Sequence, residues 1–93
     1  MATNYERGRA FEYRIKSLLE EDGWYCWRTP ASKSPVDIIA VKNGKFIVVQ
    51  AKAKSLVANR DKLQLKEFCE LVKCKGFIAY KDKDRKLKVE EIK

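Results

Sequence analysis

Asp37, Gln50 and Lys52 are the residues of this chain whose types and spacing most directly invite chemistry. Gln50 and Lys52, two positions apart, share one face of a strand. A hairpin register with Asn43 and Gly44 at the turn sets Asp37 opposite Gln50, because paired residue numbers then sum to a constant. Opposed side chains lie about 4.5–5.5 Å apart at Cβ, so a carboxylate, an amide and an ammonium converge at one end of an apolar ribbon. Such a cluster on a small core is costly unless it is solvated, paired or liganded. It is therefore either a strand end meeting solvent with an Asp37–Lys52 ion pair, or a site. Glu12 flanks the apolar stripe of the first helix beside Arg9 and Lys16. It can lean over the rim of the sheet as a further carboxylate, or pair with Lys16 on a solvated helix face. The chain has no histidine. Histidine triads, histidine-ligated zinc and the usual general base near neutral pH are thereby excluded, and catalysis must rest on carboxylates, Lys, Arg, Tyr, hydroxyls or a metal held by oxygen.

The elements that must position these residues are legible from periodicity. Phe11, Ile15, Leu18 and Leu19 recur at helical spacing and predict a first helix over about Tyr5–Asp22, with Thr3 or Asn4 as cap and Gly23 as stop. Trp24 to Arg28 reads as a strand, followed by a loop carrying Pro30, Ser32, Lys33, Ser34 and Pro35. Asp37–Lys42 and Lys45–Lys52 are rich in Val and Ile and separated by Asn43-Gly44, the strongest short-range hairpin signal, since both turn positions need positive φ. Both strands are apolar on both faces and are expected to be central. Leu65, Phe68, Cys69 and Val72 predict a second helix over about Asp61–Cys74, closed by Gly76. Phe77–Tyr80 and Leu87–Ile92 complete the order αβββαββ. No repeat or linker divides the chain, so one domain over residues 1–93 is expected.

Charge narrows the partner. The 93 residues hold 21 Lys and Arg against 13 Asp and Glu, a net charge of +8. Between Gly23 and Arg60 the only acid is Asp37, among Arg28, Lys33, Lys42, Lys45, Lys52, Lys54 and Arg60. A lone carboxylate in a basic field suits a polyanion, and nucleic acid leads because Lys and Arg displace the counterions condensed on phosphates. Hydrophobic residues make up 45%, too many for a disordered chain, and no apolar run approaches the roughly 20 residues that cross a bilayer, so no membrane partner is expected. The opening residues lack a signal-peptide apolar region. Cys26, Cys69 and Cys74 fit neither a disulfide framework nor a zinc site. Both observations lead us to expect a reducing cytoplasm.

Glu12, then Pro35, Val36 and Asp37, then Gln50, Ala51 and Lys52 resemble the pattern of the PD-(D/E)xK nuclease superfamily. The start RGRAFEYRIKSLLEEDGW, the Arg28 strand, the serine-containing loop and the short hairpin look like archaeal Holliday junction resolvases and their viral relatives, over about residues 7–54. The resemblance implies an α/β restriction-endonuclease-like domain, a central mixed sheet flanked by helices. It also implies a homodimeric, magnesium-dependent endonuclease that resolves four-way DNA junctions in recombination and repair, with Mn²⁺ able to substitute. Carried over, Glu12, Asp37 and Gln50 hold or orient the metal, and Lys52 orients the attacking water or offsets phosphate charge. Arg28 and Ser32 or Ser34 approach the DNA backbone near the cut, and Arg9, Lys33, Lys54 and Arg60 complete the expected DNA-contacting set. Mg²⁺ wants oxygen ligands and activates water, so no histidine is needed.

The departure is Gln50, where the family usually carries an acid. Its amide oxygen can still ligate a metal but leaves the site one negative charge short. The alternatives are a non-catalytic junction-binding relative and a restriction- or repair-like nuclease of the same superfamily. Paired cutting calls for a two-fold dimer, with Leu65, Phe68, Leu71 and Val72 of the second helix as a candidate interface.

Overall fold

The structure, a computed structural model, describes residues 4–29, 35–53 and 57–92. Helix α1 spans Asn4–Glu21, and strands β1 (Tyr25–Arg28), β2 (Ile38–Lys42) and β3 (Lys45–Lys52) follow. Helix α2 (Asn59–Val72) then leads to β4 (Lys75–Lys81) and β5 (Leu87–Ile92). The expected order is therefore the observed one. The five strands form one sheet in sequence order, antiparallel throughout except for β3 and β4, which run parallel. That parallel pair needs a crossover, and α2 supplies it. Among the described residues no helix is long and apolar enough to cross a membrane.

The two helices cover opposite faces. Phe11 and Ile15 of α1 pack on Ile38, Ala40, Ile47, Val49 and Ala79. Leu65 and Cys69 of α2 pack on Val36, Val48 and Ile78. Residues 47–50 of β3 are buried on both faces, which is why this strand reads as a continuous apolar run instead of an alternating one. Leu18, expected in the α1 stripe, is exposed, as is Val72 of the α2 stripe. Leu18 lies in the last turn of α1 and Val72 is the final residue of α2.

Asn43 (φ 50°) and Gly44 (φ 76°) adopt the left-handed conformations of the expected turn, and the ladder pairs Lys42 with Lys45 through to Ile38 with Val49. The end of α2 differs from expectation. Lys73 takes the left-handed cap at φ 56°, and the Cys74 N–H donates to the Cys69 carbonyl at 3.1 Å. Gly76 is not a stop but a residue of β4. It lies under α2 so closely that a Cβ there would collide with Cys69 Sγ and press on Leu65.

Candidate active site

The hairpin ladder stops one residue short of Asp37. The Asp37 N–H donates to the Val49 carbonyl at 2.9 Å, where the register would have continued to Gln50. The Asp37 carboxylate takes over, accepting from the Ala51 N–H at 2.8 Å. Direct opposition of Asp37 and Gln50 thus gives way to a side chain lodged on the backbone just beyond Gln50. Thr29 explains the shift. Its N–H donates to the Asp37 carbonyl at 3.0 Å and its hydroxyl donates to the Val36 carbonyl at 2.6 Å, while the Val36 side chain is drawn into the core beneath α2.

Burial pushes the Asp37 carboxyl above its ordinary range. The Ala51 N–H opposes that rise, the Glu12 charge adds to it, and Lys52 and Arg28 counter it. Three of the expected charges, Glu12, Lys52 and Arg28, therefore act on Asp37. Gln50 shares one face of β3 with Val48 and Lys52 and is only 5% exposed. Its Oε1 is buried and accepts no hydrogen bond among the described residues. An unmet buried acceptor costs about 1–3 kcal/mol, which a donor or a cation at this oxygen would relieve.

Lys52 does not pair with Asp37. Its Nζ lies 3.7 Å from Asp61 Oδ2, in the first turn of α2. Nor does Glu12 pair with Lys16, which bonds Glu20 instead at 2.9 Å. Glu12 Oε1 accepts from Arg28 Nε at 3.2 Å and from its Nη2 at 3.1 Å. The Arg28 guanidinium also lies 4.3 Å from the Tyr13 ring centre, with Arg9 at 5.9 Å. A hydrogen bond from Arg9 and the charge of Arg28 lower the Tyr13 phenol from its ordinary value. Arg28 is thus locked by a carboxylate and an aromatic face.

Glu12, Arg28 and Lys52 act electrostatically on Asp37, Gln50 precedes the Ala51 N–H that holds it, and Arg9 reaches the group through Tyr13, whereas Arg60 is an exposed residue of the first turn of α2. Ser32, Lys33, Ser34 and Lys54 lie outside the described residues, as does Thr3. Among the described residues no three acidic, histidine or cysteine side chains cluster closely enough to hold a metal. With Glu12 engaged by Arg28, the oxygens that remain for a cation are the Asp37 carboxylate and Gln50 Oε1. Two site residues escape the sequence reading. Tyr13 carries a faint signal, four positions after Arg9 on one helix face. Asp61 carries none, because its pairing exists only once α2 has crossed the sheet.

Comparison with known proteins bears on the family and the fold. The family model described as archaeal Holliday junction resolvase (Hjc) matches residues 3–93. The crossover junction endodeoxyribonuclease Hjc of Methanocaldococcus jannaschii is 32% identical over 85 residues, covering 87% of this chain and 63% of the relative. The chain therefore spans less than two thirds of that relative's length. The solved structure of Hjc from Archaeoglobus fulgidus, a Holliday junction resolvase, superposes with a TM-score of 0.75 at 20% identity, over 92% of this chain and 73% of that one. At that identity the likeness speaks for the fold. With the family model matched across nearly the whole chain, this protein belongs to the archaeal Holliday junction resolvase (Hjc) family.

Proposed function

We propose that this chain is a metal-dependent endodeoxyribonuclease that cuts four-way DNA junctions as a homodimer. The observation that carries the reading is the unmet buried oxygen of Gln50 beside a carboxylate held on the Ala51 N–H. Family membership supports it, since resolvases of this kind are generally metal-dependent. A carboxylate and an amide oxygen are hard donors that fit Mg²⁺, with Mn²⁺ able to replace it. When bound, such a cation lowers the pKa of a coordinated water and offsets charge gathering on the phosphate.

The chain's own residues supply the rest. The Ala51 N–H fixes one oxygen of Asp37, so the other is presented without rotational freedom. Lys52, steadied by Asp61, brings an ammonium to the attacked phosphate, where it orients water or balances charge. Arg28 is held ready by Glu12 and Tyr13, and its remaining N–H groups suit a backbone phosphate.

The dimer reading rests on an uncovered part of the sheet. On the α2 side, α2 packs over β4 and β5 and leaves Tyr25, Trp27 and Phe46 exposed at 75%, 55% and 44%. Tyr25 pairs with Val41, which pairs with Phe46, so these side chains form one apolar row. Leu71 and Val72 of α2 are exposed as well. A two-fold partner that places its α2 on this row buries both surfaces at once.

The test is incubation with a labelled four-way junction and a linear duplex of the same arm sequence, each with Mg²⁺ or EDTA. Paired nicks in the junction, dependent on metal, are expected. Junction binding without cutting in Mg²⁺ would identify a non-catalytic relative, and equal cutting of linear DNA another nuclease specificity.

A further inference from the structure

Beside the site, on the α1 face of the sheet, lies a cleft of about 690 Å³ lined by four cations, Arg7, Arg14, Lys81 and Arg85, and by no acid, with Lys52, whose ammonium turns away to Asp61, at its β3 end. None of the four belongs to the DNA-contacting set read from the sequence. The remaining lining is small or apolar, with Phe11 at the floor, and Lys81 Nζ sits 5.3 Å from the Phe11 ring centre. Elsewhere, Lys16, Lys42, Lys62 and Lys88 each pair with an acid. Among the described residues Arg7, Arg14, Lys81 and Arg85 form no ion pair. A cleft that gathers unneutralised charge is held against self-repulsion by the fold alone, and an anion relieves it.

The turn between β4 and β5 is built to deliver Arg85. Asp82 Oδ1 accepts from the N–H groups of Asp84 and Lys86, both at 2.9 Å. The Arg85 N–H donates to the Asp82 carbonyl at 2.9 Å. Arg85 itself adopts φ 62°, a conformation that costs a side-chain-bearing residue free energy and that glycine or asparagine accepts cheaply. An arginine held there despite that cost points its charge to a purpose.

We propose that this cleft, between the N-terminal half of α1 and the β4–β5 turn, is a phosphodiester track that holds the DNA strand continuing from the cleavage site and reads its backbone, not its bases. The inference rests on the nuclease reading, since the cleft runs up to the end of β3 at Ala51 and Lys52, where the site lies. The chemistry selects backbone. Guanidinium groups bind phosphate oxygens in a fork, while the one aromatic ring on the cleft lining is buried in the core and offers no stacking platform for a base.

The test uses Arg14→Gln/Arg85→Gly, with binding of a fluorescein-labelled four-way junction followed by anisotropy in EDTA. Both side chains are exposed, and glycine suits the Arg85 backbone, so loss of fold does not account for weaker binding. Affinity should fall about tenfold near 0.1 M salt, and the slope of log affinity against log salt should shrink by about 1.8, or 0.9 for each lost phosphate contact. The loss should be equal on two junctions with unrelated arm sequences. An unchanged slope, or a loss confined to one arm sequence, would overturn the track. Failure of the unsubstituted protein to bind the junction at all would instead remove the nuclease reading on which it stands.

Discussion

Asp37 shows how a carboxylate is kept in the fold at some cost. Burial raises its pKa above the ordinary 3.8, so in the absence of a cation the ionised form is less stable in the folded chain than in the unfolded one. The penalty is absent below the unfolded pKa and grows as pH rises through the folded one. Asp37→Asn should therefore melt in EDTA at or above the wild-type temperature, with the difference widening from acid to neutral pH. Its oxygen can still accept from the Ala51 N–H, yet cleavage should drop by at least about 100-fold as a charged ligand disappears. A variant that cuts at the wild-type rate removes Asp37 from the site. Gln50 gives the opposite balance. Gln50→Glu puts an unpaired charge at a position only 5% exposed, so it should lower the melting temperature in EDTA. Added Mg²⁺ should then raise that temperature by more than it does for wild type, because ligand binding stabilises in proportion to affinity. Equal responses to Mg²⁺ in a thermal scan would show that Gln50 is not a ligand.

At the level of elements, the close crossing of α2 over β4 makes Gly76 a packing residue. Gly76→Ala should destabilise by about 1–3 kcal/mol in denaturant unfolding, the usual range for overpacking. Adding Cys69→Ala should recover part of that loss, because the colliding Sγ is gone; strictly additive effects would mean the two sites do not touch. This contact marks where sequence reading ends. Asn43-Gly44 fixed the hairpin and its register, since few residues tolerate positive φ, and Val/Ile runs identified β2 and β3 as inner strands. Gly76 looked like a helix stop because sequence does not distinguish a glycine required for turning from one required for close approach. Asp37, Gln50, Lys52 and Glu12 were legible as a group from motif and register. Their partners were not: the Asp61 contact to Lys52, the Arg28 clasp by Glu12 and the one-residue slip at Asp37 all arise from tertiary packing. The Arg85 turn was equally hidden, its left-handed residue being an arginine.

As a whole the molecule is small, with principal extents of 40 × 29 × 25 Å, and the paired cuts proposed for a four-armed substrate require two sites. The apolar row of Tyr25, Trp27 and Phe46 is the surface on which a second copy is expected. Trp27→Glu should convert the protein to a monomer in sedimentation equilibrium at about 10 µM, with loss of paired nicking, because a charge at the centre of an apolar contact is left unpaired. Single nicks on separate junctions should persist, since the substitution lies outside the Asp37 cluster. A Trp27→Glu protein that still sediments as a dimer would place the interface elsewhere.

The parallel β3–β4 pair also governs when, during folding, the site comes into being. The β2–β3 hairpin is local and closes through a two-residue turn, so it can form early. Docking β4 against β3 requires closing the α2 crossover, an entropic cost met before its contacts are gained. Lys52 stands at the far end of β3, paired with Tyr80 of β4 and steadied by Asp61 of α2. Its surroundings are therefore incomplete in any species that has only the hairpin. A nascent chain released with β4 unformed carries the motif residues but not the arrangement proposed to let them act, which is complete only once β4 has docked.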